Sequence, residues 1–207
     1  MTDDDDDHSA DIALAITIML SAINNSETDM ILGSMATRYV NSVSNFSYNN
    51  VQAQAKHVGL QVVEHNSTID SYTAMKVKEN VALIKSMRSD FSSRLEKNIY
   101  QAIMHGKGIS EIMSSLTKDG QMTNNHAAFI ANDQTGKILG QLDGYRAQRA
   151  GAESYVWQSM EDSRVRASHQ ILDQTEQKYD DPDGGDGGQL PGEPFRCRCV
   201  ALPVFDM

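Results

Sequence analysis

Cysteine is nearly missing from this chain: there are two in 207 residues, Cys197 and Cys199. So low a count excludes a disulfide framework and points to a protein made in a reducing cytoplasm. Long apolar runs are missing as well. The best candidate, Ile12 to Ile23 (IALAITIMLSAI), falls short of the roughly 18–20 residues that a bilayer span requires. Positive charge is lacking ahead of it, where Asp3–Asp7 stand, so the stretch does not read as a secretory signal. A buried helix is the expectation there, and no membrane partner is expected. The chain also lacks a serine nucleophile motif, an H-E-x-x-H pair and a phosphate loop. Gln134-Thr135-Gly136-Lys137 has no upstream Walker glycine and reads as ordinary helix. No internal repeat is present.

What is there is a soluble, globular composition, 40% apolar and 22% charged, sized for one or two compact domains. The net charge of −10 is unevenly spread. The first 37 residues hold eight acids and no base, whereas Lys76–Lys107 holds seven bases (Lys76, Lys78, Lys85, Arg88, Arg94, Lys97, Lys107) against three acids. Tight, general DNA binding needs a positive footprint, so it is excluded for the surface as a whole. A weak local DNA contact along Lys76–Lys107 stands beside the plainer reading of a solvated helix face. Residues 1–10 read as an acidic, disordered arm.

Residues 11–125 read as a helical region. Ser9 or Asp11 caps a first helix to Ile23, and Asn24–Ser26 breaks it. Ile31, Met35, Tyr39 and Val43 carry a second stripe at four-residue spacing. Ser44–Asn50 reads as a loop, and Val51, Ala55, Val58 and Val62 as a third helix. Asn66-Ser67-Thr68 caps a long fourth helix, from Ile69 to Ile103, with a break near Ser86–Asp90. His105-Gly106-Lys107-Gly108 ends it. A short helix around Ser110–Leu116 and another from His126 to Gly151, capped by Thr123 or Asn124, complete the body. Glu153–Ser159 is aromatic and β-branched and reads as a strand. Val165–Leu172 reads as a short helix and Lys178–Gly192 as a loop. Arg196–Val204 reads as a second strand, antiparallel to the first. The fold class is α+β: a mostly helical N-terminal body and a small C-terminal α+β unit with a short antiparallel sheet.

Two cysteines one residue apart on a strand face the same side. A disulfide between them would close a strained ring. Two thiols on one side can bind a borderline metal such as Zn, which takes four Cys, His or carboxylate ligands. His169 is the candidate third ligand, and Asp162, Asp173 or an acid of Asp180–Asp186 the fourth. The competing reading is two small buried side chains packed under Trp157. Tyr155 and Trp157 alternate with Val156 across the strand, and the only tryptophan reads as a core anchor. Asp162, Arg164, Arg166 and His169 form a second cluster, in which a carboxylate–guanidinium fork ties the turn to the segment carrying Arg196 and Arg198. Acid–base chemistry at His169 or a thiol nucleophile paired with it would be the enzymatic alternatives.

The run "HAAFIANDQTGKILGQLDGYRAQRAGAESYVWQSMEDSRVRASHQILD", an Asp/Pro/Gly-rich loop and then "LPGEPFRCRCVALPVF" together resemble the Mu F-like head morphogenesis domain of tailed phages. The matching positions are Tyr155 and Trp157, then Asp162, Arg164, Val165, Arg166 and His169, then Pro191, Gly192, Cys197, Arg198 and Cys199. The sequence departs from the pattern at Ala131-Asn132-Asp133, where an arginine usually follows the alanine, and at Leu172-Asp173-Gln174, where a glycine is common. The close match covers 126–207, and "ENVALIKSMRSDF" with "IYQAIMHGKGISEIMSSL" resembles the helices that precede the domain. The resemblance implies a structural minor head protein, not an enzyme. It would be made in the host cytoplasm and carried in the virion, inside the head near the portal. Implied partners are the portal protein and the major capsid or scaffolding protein, with roles in procapsid assembly and DNA packaging or ejection. Such domains are sometimes fused to ADP-ribosyltransferase modules, but the Glu-x-Glu pair of those modules is lacking here. A metal- or thiol-dependent hydrolase carried in the virion is the alternative.

Overall fold

The computed structural model describes residues 18, 21, 25–105 and 109–205. The acidic arm, most of the expected Ile12–Ile23 helix and the Gly106–Gly108 terminator lie outside the described residues; Ile18 and Ser21 are both helical. The main elements are three long helices, α1 (Ser26–Lys56), α2 (Ser67–Met104) and α3 (Ile109–Arg149), followed by a small mixed region. There β1 (Ser154–Gln158), α4 (Ala167–Leu172), β2 (Glu176–Lys178), a kinked turn α5 (Gly184–Gly187) and β3 (Val200–Val204) complete the order. The class is the α+β arrangement expected.

Two compact units divide the chain. The first holds residues up to Ala36 and Lys78–Phe129. Its core is Leu95 and Ile99, with Phe91 and Leu116 packed against them. Asn25 caps α1 by accepting the Thr28 N–H at 2.8 Å. Asp29 then pairs with Lys85 at 2.6 Å and Arg88 at 2.8 Å on α2. Asn98 on α2 donates to the Asp119 carboxylate on α3.

The second unit holds Thr37–Val77 and Ile130 onward. Val40, Val43, Ile69, Ile138 and Leu142 form one of its clusters, and Val51, Ala55, Val62, Ala147, Ala150 and Ala152 another. Asn66 caps α2 as expected, accepting the N–H of Thr68 at 3.1 Å and of Ile69 at 2.9 Å. The sheet is antiparallel with order β2-β1-β3, and Tyr155 is opposite Gln177 on one side and Pro203 on the other.

Several element boundaries differ from the expectations, each for a physical reason. Ser44–Asn50 is helix, not loop, because its polar side chains meet a buried arginine. Arg146 on α3 donates to Ser47 Oγ at 2.7 Å and Ser44 Oγ at 3.0 Å, and also to the carbonyls of Val63 and Glu64. The third helix expected over Val51–Val62 ends early, at Lys56. Gly59, at φ 75°, closes it in a Schellman motif: its own N–H reaches Lys56 O, and the Leu60 N–H reaches Ala55 O, both at 3.1 Å. The expected break near Ser86–Asp90 is absent, as α2 runs through it. The two helices expected over 110–151 are one continuous α3, closed at Gly151 by the same motif. Thr123 sits inside that helix with its hydroxyl on the Asp119 carbonyl. The last strand begins at Val200, not Arg196: a turn puts Arg196 at φ 56°, and Cys197–Cys199 carry no regular structure.

Candidate functional site

The closing segment Leu190–Cys199 is held on α3 by a row of glycines. Gly136, Gly140 and Gly144 recur every four residues on one face of the helix. A Cβ on Gly140 would lie 2.5 Å from the Pro191 carbonyl, so only glycine allows the segment this close. Gly192, at φ 93°, packs back against Gly136. Side chains on α3 then fix the position: Gln141 donates to Glu193 at 2.6 Å, and Asp133 accepts the Arg196 N–H at 2.9 Å. Asp133 stands where the resemblance leads one to expect an arginine nearby, and here it steadies the strained turn before Cys197.

β1 supplies the floor. Tyr155 and Trp157 are buried, with Cys197 and Cys199 in the same cluster. The Trp157 ring meets His169 edge-on, centroids 4.9 Å apart. The Tyr155 ring meets Tyr179 at a tilt, centroids 4.8 Å apart, and burial pushes the Tyr155 hydroxyl up to about 12.

The loop after β1 and the start of α4 are tied to the closing segment by charge. Arg198 donates from both terminal guanidinium nitrogens to the Asp162 carboxylate, at 2.8 and 2.5 Å. Asp162 also accepts the Arg164 backbone N–H at 3.0 Å and the Arg164 side chain at 3.1 Å. The Arg198 fork, followed by these Arg164 bonds, holds the carboxyl well below the usual carboxylate range despite some desolvation. Arg166, just ahead of α4, donates to the Phe195 carbonyl.

Behind this belt lies His169, 2% exposed in its side chain. Its Nε2 is 3.0 Å from Asp186 Oδ2, and its Nδ1 is 3.5 Å from each of the two sulfurs. The N–H groups of Gly192 and Cys199 both point at Cys197 Sγ at 3.4 Å. The adjacent Cys199 thiol and these N–H groups lower the Cys197 thiol, and the same neighbour pushes Cys199 up. A cavity of about 30 Å³ opens beside the three side chains, with Arg166, Arg196 and Arg198 on its wall.

Of the residues singled out in the sequence, Tyr155, Trp157, Asp162, Arg164, Arg166, His169, Pro191, Gly192, Cys197, Arg198 and Cys199 fall in this one region. Three of the acids considered as a fourth ligand are placed otherwise. Asp162 is taken by arginine, Asp173 accepts the Ser159 N–H at 2.6 Å, and Asp186 sits on the far nitrogen of the imidazole. Asp133, Gln141 and the glycine row escaped sequence reasoning. Their four-residue spacing, Gly136-x-x-x-Gly140-x-x-x-Gly144, was the available signal.

A family model described as "Phage Mu protein F like protein" matches residues 93–202, just over half of the chain. An uncharacterized protein of Haemophilus influenzae is 34% identical over 127 residues, which is 61% of this chain and 28% of that relative. The chain therefore spans little more than a quarter of that relative's length. No solved structure matches.

Proposed function

Because this chain belongs to the Phage Mu protein F like family, we propose that it is a structural minor head protein of a tailed bacteriophage or prophage, acting in head morphogenesis. The observation that carries this reading is the family match across 93–202, which takes in the rear of α2, all of α3 and nearly all of the sheet region. The finer proposal is an adaptor at the portal vertex. It would enter the procapsid during assembly and act in DNA packaging or ejection, with major capsid or scaffolding protein as further neighbours. One feature suits an adaptor. Ile31 and Met35 are four residues apart on α1 and about half exposed, and Met30 beside them is 77% exposed. Such a stripe on a helix fits an apolar groove on a partner.

The test is coexpression of this protein with its portal protein, followed by mass measurement of the purified complex. A defined complex with a few copies per portal ring supports the adaptor. A lone monomer that ignores the portal counts against it. The second reading, a virion-borne metal or thiol hydrolase, draws on the lowered Cys197 thiol beside His169. A Cys197→Ser, Cys199→Ser double variant separates the two. An adaptor keeps both its portal complex and infection when the variant is folded, whereas a hydrolase loses infection while the complex survives.

A further inference from the structure

We propose that His169 Nδ1, Cys197 Sγ and Cys199 Sγ hold one zinc ion, with a water molecule from the adjoining cavity as its fourth ligand. The three donors lie within 4.8 Å of one another. Their spacing is the quantitative argument. A tetrahedral zinc with Zn–S of about 2.3 Å and Zn–N of about 2.05 Å sets each sulfur about 3.6 Å from the imidazole nitrogen. Both observed separations are 3.5 Å. A separation of 3.5 Å also suits a single thiol-to-imidazole hydrogen bond, so the discriminating fact is the number of sulfurs. Nδ1 has a single lone pair, so it can accept from one thiol only, yet two sulfurs stand equally far from it.

The surroundings are those of a ligand set. The Asp186 carboxylate faces Nε2, which places the ring proton there and leaves the Nδ1 lone pair turned toward the sulfurs. Two backbone N–H groups point at Cys197 Sγ, as they would at a thiolate. The indole N–H of Trp157, in the same buried cluster as Cys199, has no partner in bonding geometry. A thiolate there would give that N–H an acceptor. Binding zinc releases the thiol protons to solvent, and the two thiolates balance the charge of the ion. Among the described residues no carboxylate joins the three donors within 4.8 Å, so one position remains. The cavity of about 30 Å³ exceeds the ~10–15 Å³ that a single water requires. The ion would join α4 to the closing segment. It would thus be a cross-brace beside Trp157, on a segment that the Asp162–Arg198 fork already ties down.

The experiment uses the full chain, stripped of metal by chelation under reducing conditions and titrated with Co²⁺ as a spectroscopic stand-in for zinc. The expected result is saturation at one equivalent, with tetrahedral d–d bands, thiolate-to-cobalt charge transfer and displacement of cobalt by zinc. A small anion such as azide should shift the d–d bands, because the fourth position is open. Cys197→Ser, Cys199→Ser and His169→Gln should each abolish the charge-transfer spectrum or weaken binding by orders of magnitude. Asp186→Asn should keep the spectrum and weaken affinity about 10–100-fold. The wild-type titration stands whether or not a variant folds. A folded wild-type chain that gives no tetrahedral cobalt spectrum overturns the site. Bands indifferent to azide overturn the water ligand.

Discussion

At the residue scale, two buried polar groups on α3 govern how the second unit responds to substitution and to pH. Arg146, 1% exposed, spends its guanidinium on two serine hydroxyls and two carbonyls. Replacing it with Leu or Met leaves those acceptors buried and unpaired, so a loss of roughly 2–4 kcal/mol is expected in urea unfolding. One turn away, Asp143 accepts from Asn50 at 3.1 Å on one oxygen and lies near the Ser47 hydroxyl, while its other oxygen is buried with no bond in good geometry. Desolvation pushes its carboxyl up to about 6, against the opposing pull of hydrogen bonds and Arg146. The unfolded carboxyl titrates near 3.9, so between those values the native state holds the extra proton. Stability should therefore rise as pH is lowered from 7 toward 5, and Asp143→Asn should flatten that rise. Asp162 acts in the opposite sense. Its folded-state pKa is depressed by Arg198, so its contribution is present above about 4 and is lost as the pH falls further. Thermal melts from pH 7 to pH 3 should show a maximum near pH 5 in the wild type. A monotonic fall from pH 7 would refute the assignment at Asp143. None of this was legible in the sequence. Ser44, Ser47 and Arg146 are about a hundred residues apart, and a polar run beside aromatics reads as a loop until its partner is known.

At the element scale, the legible features were local and the illegible ones were matters of continuity. The Asn66 cap, the β1 strand and its antiparallel partner could be seen from capping chemistry and alternation. The unbroken length of α1, α2 and α3 could not be seen from apolar stripes, which fade where a long helix changes neighbours. A stronger signal was composition: all four prolines lie at or after Pro182, so nothing in the helical region forces a break. The same elements predict opposite outcomes for one substitution. Gly33 in α1 has nothing within 4 Å of an added Cβ, so Gly33→Ala should stabilise by about 0.5–1 kcal/mol. Gly140 in α3 has the Pro191 carbonyl at 2.5 Å, so Gly140→Ala must push the closing segment away, at a cost of roughly 1–3 kcal/mol. Paired thermal melts measure both signs. Equal effects at the two sites would show that the Pro191 segment does not lie against α3.

At the scale of the whole molecule, charge is the property that partners meet first. Much of the basic stretch expected as one face is already committed. Lys76 is buried near the Tyr72 ring, and Lys85 and Arg88 pair with Asp29. Among the described residues of that stretch, Lys78, Arg94 and Lys97 remain exposed, too few for a strong phosphate footprint. The acidic end is different in kind: Asp3–Asp7 put five like charges in succession. If the arm meets a basic portal surface, the attraction must be screened as the Debye length shrinks from about 10 Å at 0.1 M salt to about 3 Å at 1 M. The portal complex should then weaken several-fold between low and moderate salt, and replacing Asp3–Asp7 with Asn should remove most of that dependence. A duplex DNA titration over the same salt range should show weak affinity with a shallow slope, consistent with few exposed cations. An affinity for the portal that ignores salt would remove the arm from the interface and leave the apolar stripe of α1 as the contact to dissect.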